Sequence, residues 1–480
     1  MASTRSGEVG IRGAALIQFA SKYSTIFVSL IVTAVLARLL TPADFGVVAI
    51  VTVFTSLFSV FSDMGIGTAI VQFRELTTRQ HEQIFTFSLL LALGLALILG
   101  VAAWPIALFY GNDQLVPLVW AVTPSLFFST LNMVPNGLML RNKAFKSIGV
   151  RVVVTAVVAG AVAIVAAFAG LGPYALVLQT DLQAIFVFFW NFLRSPLRRL
   201  DVHFMEPLRL IFGYSAFQFG FTFVNYFARN LDNLLIGKFF GDAQLGYYDK
   251  AYKLTTYPLT AFSGVIAGVV QPYMAEHQSE PQMIFAFWRK IQKFISLVGA
   301  GLTAGLMACS SEVILLFYGD QWSASIPLFT VLAFSIYTQM LGSSAGAFFQ
   351  SLGRTDLMFR CGLCTTGLTV VMLFAGIATG SLDIVAGCIA IAYVLQIFVN
   401  FWFLIHCGFQ ESLKVLKMFL PEICIAAIAV IVCSLLSPIL NVWGLLASFA
   451  VKCVVVLAIM LGGYALTHQL QYVKAVLKRG

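Results

Sequence analysis

The sequence predicts an all-α polytopic membrane protein with about fourteen transmembrane helices, and three observations lead to this class. The 480 residues are 60% hydrophobic and only 10% charged, whereas a soluble domain carries roughly 25% charged residues. The apolar residues fall into long runs, near the length of about 20 residues that a helix needs to cross a bilayer. The basic residues are concentrated in alternate connections between these runs, a pattern that sets orientation in a membrane.

Fourteen apolar spans follow one another along the chain, with short connections between them. Each boundary is placed to within a few residues. Together the spans use nearly the whole chain, so no sizeable soluble domain is expected. The predicted spans are 13–37, 45–71, 83–109, 115–138, 148–169, 173–193, 210–236, 243–272, 294–318, 325–350, 361–380, 384–405, 418–437 and 442–467.

The distribution of charge predicts how the chain is oriented. Of the 29 Lys and Arg residues, 21 lie at the termini or in even-numbered connections, six lie within spans, and two, Arg38 and Lys238, lie in odd-numbered connections. Because an excess of Lys and Arg marks the cytoplasmic side, we expect both termini in the cytoplasm and the chain in the inner (cytoplasmic) membrane. The net charge of +9 then faces anionic lipid headgroups and not a nucleic acid.

An internal repeat predicts the arrangement of the spans. The segment Arg38–Gly46 aligns with Lys238–Gly246 at a shift of 200 residues, and Phe109–Asn112 aligns with Phe317–Asp320 in the same order. A shift of six spans keeps the orientation, so the copies form parallel repeats, one of the arrangements found in transporters. We expect two parallel six-helix lobes around a central cleft, followed by two additional C-terminal helices. The corresponding domains are 1–200, 201–410 and 411–480.

Several motifs carry a resemblance to a known family. The chain resembles the polysaccharide transporters of the multidrug/oligosaccharidyl-lipid/polysaccharide exporter superfamily over about residues 10–360, and is most similar to the Wzx-like oligosaccharide flippases of the colanic-acid and exopolysaccharide type. The resemblance implies transport and not enzymatic catalysis. The motifs are Leu36–Gly46, Ser62–Gly67, Ile70–Gln72, Asn233–Gly237, Leu245–Tyr252 and Phe317–Trp322.

The resemblance implies a substrate and partners. Such flippases move undecaprenyl-diphosphate-linked oligosaccharide repeat units across the cytoplasmic membrane by alternating access, for exopolysaccharide, capsule or O-antigen biosynthesis. Membrane lipids, a coupling ion (H+ or Na+), and polysaccharide polymerase and chain-length proteins are the expected partners. We expect no nucleic acid, cofactor or metal, and the absence of a nucleotide-binding motif argues against ATP as the direct energy source.

Charged and polar residues inside the spans are the candidate site residues, because a charge at the bilayer centre costs roughly 2.5–3.5 kcal/mol and needs a reason. The family places helices 1, 2, 7 and 8 along the cleft, where basic side chains suit a diphosphate and amides suit sugars. The candidate diphosphate ligands are Lys22, Arg229, Lys250 and Lys253. The candidate sugar ligands are Gln18, Gln218, Asn225 and Asn233. The candidates for a hinge or for cation coupling are Asp63, Asp232 and Asp249.

A structural interpretation stays open for these charges. Arg229 with Asp232, and Asp249 with Lys253, are spaced to form local ion pairs that tie helices together. A second group of intramembrane charges lies near span ends or in the C-terminal helices, where snorkelling explains the charge about as well as function does. This group is Arg151, Glu312, Glu422 and Lys452. The lone acid Asp181 is expected to pair with Arg151.

Two other functions are compatible with a polytopic helical protein. A drug antiporter of the same superfamily exports organic cations, which need a net acidic site, so the basic candidates argue against it. A membrane polymerase or acyltransferase needs catalytic groups on a large loop or an intramembrane histidine. The connections are short and the five histidines lie at span ends or in connections, which argues against this enzyme class.

Overall fold

The computed structural model describes residues 11–63, 65–73, 75–275 and 280–469, and regular structure in these ranges is helical. Nineteen α-helices are present in the described ranges. They are α1 (Ile11–Leu39), α2 (Pro42–Asp63), α3 (Ile66–Gln72), α4 (Thr78–Tyr110), α5 (Leu115–Leu131), α6 (Met133–Arg141), α7 (Phe145–Phe168), α8 (Tyr174–Phe192), α9 (Met205–Phe240), α10 (Asp242–Ala275), α11 (Pro281–Ala308), α12 (Ser310–Phe317), α13 (Ser325–Phe334), α14 (Ile336–Gly342), α15 (Ala345–Ser351), α16 (Thr355–Ala378), α17 (Leu382–Phe401), α18 (Leu420–Leu440) and α19 (Leu445–Leu466).

The helices confirm the predicted class. Within the described ranges, 11 helical segments are long and apolar enough to cross a membrane, and the pair of α13 with α14–α15, bent by 41°, makes a twelfth if it is counted as one span. Helices α9 and α10, with 36 and 34 residues, cover predicted spans 7 and 8. At a rise of about 1.5 Å per residue, each is longer than the ~30 Å hydrocarbon core. A total of fourteen spans is therefore compatible with the structure.

Several spans are interrupted, and one interruption falls at a predicted glycine-rich motif. Helix α2 ends at Asp63 and α3 begins at Ile66, with Gly65 between them at a φ of 70°. This left-handed conformation is accessible to glycine without steric cost. The motif Ser62–Gly67 therefore breaks the helix, as the hinge interpretation requires.

The chain forms two compact units, one extending to Gly246 and the other beginning at Tyr247. In the first unit, α7 packs against α1 and α8, α5 packs against α4 and α8, and α9 packs against α2. The hydroxyl of Tyr226 on α9 donates a hydrogen bond to the carbonyl oxygen of Val53 on α2. The packing inside each unit does not test whether the chain forms two parallel six-helix lobes. That arrangement therefore stays a prediction.

The second unit is built around α11, which packs against α13, α14, α18 and α19. The fully buried ring of Trp288 lies at one end of this core, with the ring of Phe401 5.6 Å away in an edge-on arrangement. The rings of Phe401 and Phe419 stack at 5.7 Å. Aromatic packing therefore joins α11, α17 and the segment before α18.

The two repeat-related turns meet in the first unit through a pair of equivalent glycines. A Cβ atom built on Gly46 would lie 1.7 Å from the carbonyl oxygen of Asp242, and one built on Gly246 would lie 2.0 Å from the carbonyl oxygen of Pro42. The first turns of α2 and α10 thus touch backbone to backbone, each through its glycine. The repeat alignment identified this pair of positions, and the contact explains why both hold glycine.

Candidate functional site

A charged cluster on α10 is the best-defined candidate site. The ammonium of Lys253 lies 2.8 Å from the carboxylate oxygen Oδ2 of Asp249, which confirms the predicted spacing for an i,i+4 ion pair. Lys250 Nζ lies 3.6 Å from the same oxygen. The side chains of Asp249 and Lys250 are buried, whereas that of Lys253 is 49% exposed. Among the described contacts, the two ammonium groups share this carboxylate, so the three side chains together carry one formal positive charge.

Tyrosines line the same helix beside this cluster. The rings of Tyr248 and Tyr252 stack at 5.9 Å. The hydroxyls of Tyr252 and Tyr393 are 3.1 Å apart, which joins α10 to α17. Tyr248 is fully buried, so this stack packs α10 inside the second unit, next to the charged cluster.

Helix α9 carries the second candidate group. Arg229 is exposed, and among the described residues its side chain makes no ion pair or hydrogen bond. The predicted alternative pairing with Asp232 is therefore absent from the described contacts. Asp232 instead accepts a hydrogen bond from the backbone N–H of Asn233 at 2.8 Å. The buried oxygen Oδ1 of Asn233 has no hydrogen-bond partner among the described residues, so this amide has an unused acceptor.

The other candidates are only partly placed. Gln18 and Lys22 lie one turn apart on α1 and both are exposed. The side chains of Asp63, Gln218 and Asn225 lie outside the described residues. Lys22 and Arg229 belong to the first unit, and Lys250 and Lys253 to the second. The structure therefore brings Lys250 and Lys253 together around Asp249, while the meeting of all four cations stays a prediction.

Two buried ion pairs correct the snorkelling interpretation. Lys452 Nζ lies 2.6 Å from Glu312 Oε1, with both side chains almost fully buried. The hydroxyl of Ser448 donates a second hydrogen bond to this carboxylate at 2.6 Å. Lys293, assigned from the sequence to a connection, is buried on α11 and pairs with Glu422 at the start of α18. These charges form buried pairs that hold helices of the second unit together, so of the two interpretations left open by the sequence, snorkelling is wrong for Glu312, Glu422 and Lys452.

Arg151 is also buried and its partners are neutral amides. It donates to Asn191 Oδ1 at 2.5 Å and to Asn136 Oδ1 at 3.2 Å. Asp181 instead accepts from the backbone N–H of Ser125 at 3.0 Å. The predicted pairing of Arg151 with Asp181 is therefore wrong, as is snorkelling for Arg151. The amides on α6 and α8 supply the acceptors that a buried guanidinium needs.

The basic linker between α8 and α9 is anchored to α4 by acidic side chains. Glu82 Oε1 accepts hydrogen bonds from the backbone N–H groups of Arg198 and Arg199, at 2.9 and 3.0 Å. The linker is therefore held by backbone contacts that do not use the two guanidinium groups. The predicted connection between spans 2 and 3, which contains Glu82, therefore contacts the predicted connection between spans 6 and 7, which contains Arg198 and Arg199.

A second anchor on the same linker is Asp201. Hydrogen bonds from the backbone N–H of His203 and from the side chains of Arg79, His203 and Gln83 hold the pKa of Asp201 well below its usual range. The Arg79 Nε to Asp201 Oδ2 distance is 2.9 Å. The carboxylate therefore stays ionised at neutral pH.

Known proteins resemble this chain in sequence over most of its length. The family model described as "Polysaccharide biosynthesis protein" matches residues 35–327, which include α9 and α10. The teichuronic acid biosynthesis protein TuaB of Bacillus subtilis (strain 168) is 27% identical over 346 residues, which cover 72% of each chain. The lipopolysaccharide biosynthesis protein WzxC of Escherichia coli (strain K12) is 23% identical over 411 residues, covering 82% of this chain and 81% of that protein.

A solved structure shares the fold. The lipid II flippase MurJ in an inward closed conformation superposes with a TM-score of 0.75 at 13% identity, covering 95% of this chain and 99% of that chain. The predicted resemblance to polysaccharide transporters, the multi-pass membrane architecture and the assignment to transport instead of catalysis are confirmed. With more than half of its length matched by the family model, the chain belongs to the family described as polysaccharide biosynthesis proteins.

Proposed function

We propose that this protein flips undecaprenyl-diphosphate-linked oligosaccharide repeat units across the cytoplasmic membrane by alternating access, for exopolysaccharide, capsule or O-antigen biosynthesis. One observation carries the proposal: α9 and α10 hold more cations than their described acids neutralise. Asp249 is shared by Lys250 and Lys253, and Arg229 has no acidic partner among the described residues. A surplus of positive charge in membrane-spanning helices suits an anionic substrate.

The chemistry of a diphosphate explains why this surplus is useful. Its oxygens lose hydration on entering the protein, and an unpaired anion in a low-dielectric environment is very costly. A lysine ammonium has three donors, and the Lys253 side chain is half exposed, so its ammonium has donors besides the one that binds Asp249 for a second anion. The planar fork of Arg229 can hold two phosphate oxygens at once.

The glycan and the lipid tail place different demands on the protein. We propose that the amides Gln18, Gln218, Asn225 and Asn233 contact the sugars, while the polyprenyl tail stays in the lipid. The coupling ion, H+ or Na+, is assigned to Asp63 or Asp232 in preference to Asp249. Asp249 already faces two ammonium groups, which makes it a poor ligand for a further cation.

A drug antiporter is the alternative within transport. Organic cations need a net acidic site, and the charge balance on α9 and α10 is basic. Names of relatives such as WzxC and TuaB, which refer to lipopolysaccharide and teichuronic acid biosynthesis, also favour a glycan substrate. We therefore keep the flippase as the proposed function.

The function is tested by complementing a flippase-deficient strain. Arg229→Ala is expected to fail at normal membrane abundance because the diphosphate loses its bidentate partner, and Arg229→Lys is expected to be partly active. Lys290→Ala removes an exposed lysine from the predicted connection between spans 8 and 9. It is the matched control and should complement fully. If Asp232→Ala restores activity to Arg229→Ala, the two form a structural ion pair and the phosphate role of Arg229 is wrong.

Orientation is part of the same proposal and has its own test. We propose that both termini are cytoplasmic. Alkaline phosphatase fused after Gly111 or Gly319 should be active, and the enzyme fused after Lys143 or Lys290 should be inactive. The reverse pattern would contradict the orientation and, with it, the direction of flipping.

A further inference from the structure

The second unit contains an apolar groove that the proposed transport function does not use. Helix α17 packs on α13, α14 and α16, while α18 packs on α11 and α19, and a cavity of about 610 Å³ lies between these two groups. Four of the lining residues are alanines, whose small side chains leave room between the helices. They are Ala300 and Ala304 on α11 and Ala426 and Ala427 on α18. The groove is large enough for a lipid chain, since ligand pockets span roughly 300–1,000 Å³.

One end of the groove is basic. Among the described lining residues, Lys417 is the single charged one. It lies on the 3-10 segment Leu413–Phe419 that leads into α18, and it is exposed. Its ammonium makes no hydrogen bond or ion pair with the described residues. This segment is one of the connections that the charge distribution assigns to the cytoplasmic side.

The groove has the depth of one leaflet. Its lining on α18 runs from Leu420, next to Lys417, to Ile431. At about 1.5 Å per residue this is about 16 Å, or roughly half of the ~30 Å hydrocarbon core. An acyl chain that starts at the interface would fill it and end near the bilayer centre. An undecaprenyl chain is far longer than this depth.

We propose that this groove binds an anionic glycerophospholipid of the cytoplasmic leaflet, with one acyl chain between α17 and α18 and the phosphate at Lys417. The apolar lining matches the chain, and the single cation matches an anionic headgroup in the leaflet where such lipids attract basic side chains. The bound lipid is not cargo. It fills the space between α17 and α18 beside the stacked rings of Phe401 and Phe419, and so supports the packing of the C-terminal helices.

The headgroup is tested with the full-length protein reconstituted in equal amounts of phosphatidylglycerol and phosphatidylethanolamine with identical acyl chains. Native mass spectrometry identifies the lipid that stays bound. The wild type should retain phosphatidylglycerol, and Lys417→Gln should lower the ratio of the two retained lipids by about fivefold, the scale of one lysine at an anionic surface. Lys414→Gln, an exposed lysine of the same segment outside the groove, is the matched control and should leave the ratio unchanged. An unchanged ratio for Lys417→Gln overturns the proposal.

The chain is tested by filling the groove. Ala427→Trp should abolish retention of either lipid, whereas Ala458→Trp, on an exposed face of α19, should retain lipid as the wild type does. Thermal unfolding of both variants checks their folding, and if Ala427→Trp does not fold, the Lys417 comparison decides alone. Undecaprenyl diphosphate added at equal concentration should leave phosphatidylglycerol in place. Displacement of phosphatidylglycerol would assign the groove to the substrate tail and overturn the proposal of a phospholipid site. This outcome does not depend on the result of the Arg229 complementation.

Discussion

The cations Lys293 on α11 and Lys452 on α19 differ from those of α9 and α10 in how their charge is balanced. Lys452 has Glu312 and Lys293 has Glu422, one acid for each base, with every side chain 8% exposed or less. On α10, Lys250 and Lys253 share a single carboxylate, and the Lys253 side chain is half exposed. The first group has no net charge and is buried, whereas the second has a net positive charge and is partly exposed.

This difference shows that the balance of charge is more informative than the presence of charge in a span. A buried one-to-one pair is a complete structural unit, whose members need each other because a lone buried charge is strongly destabilising. A surplus cation in a membrane helix has no such explanation, since it costs free energy to insert. The surplus therefore marks the candidate binding residues.

Breaking a balanced pair should have the largest effect on stability. In Lys452→Met the carboxylate of Glu312 stays buried without its ammonium, so we expect the free energy of unfolding to fall by about 3–5 kcal/mol. Thermal unfolding in detergent and membrane abundance measure this loss. The double variant Glu312→Met with Lys452→Met should recover most of it. Equal stability of the single and double variants would show that the pair is not a structural unit.

Arg151 tests whether a buried cation can be balanced by neutral groups. Arg151→Lys keeps the charge but loses the fork that donates to Asn136 and Asn191, and the unsatisfied amides should lower the free energy of unfolding by about 1–3 kcal/mol. The thermal unfolding used for Lys452 measures it. Lys146→Arg, near the start of α7, is the control and should change little. A fully stable Arg151→Lys would mean that charge alone is sufficient at this position.

A surplus cation should affect transport and leave folding unchanged. Lys253→Gln removes the exposed partner of Asp249, and Asp249 keeps Lys250 at 3.6 Å, so abundance should be normal. Transport should fall about tenfold, the value of one charge-assisted hydrogen bond. Polymer produced per molecule of transporter is the measurement. A loss of abundance with normal transport per molecule would move Lys253 to the structural group.

The linker arginines should show the smallest effect. Arg198 and Arg199 are held through backbone N–H groups, so replacing both with Ala keeps the anchor on Glu82. Removing their attraction to anionic headgroups, about 1 kcal/mol per charge, should lower insertion or abundance more than transport per molecule. Loss of transport at normal abundance would instead make the linker part of the substrate path.

The class of fold could be predicted from the sequence because its causes are local. Span length, the alternation of Lys and Arg, and the break at Ser62–Gly67 are each properties of a short segment. The ion pair of Asp249 with Lys253 was predictable for the same reason, since one helical turn separates the two residues.

The partners of the other charges were not predictable from such local patterns. Glu312 meets Lys452, and Lys293 meets Glu422, only after distant helices pack. Arg151 follows the same rule, because its amide partners lie on two other helices. The opposite signs of these residues were visible in the sequence, but a list of charges does not say which helices touch.

The reciprocal glycine contact between α2 and α10 limits which substitutions the two aligned segments can accept. Gly46 contacts the backbone of Asp242, and Gly246 contacts the backbone of Pro42. A change of side-chain rotamer cannot relieve a clash with a backbone atom. A methyl group gained in one copy must displace the helix that belongs to the other copy. At this point the two aligned segments, although 200 positions apart, cannot change independently of each other.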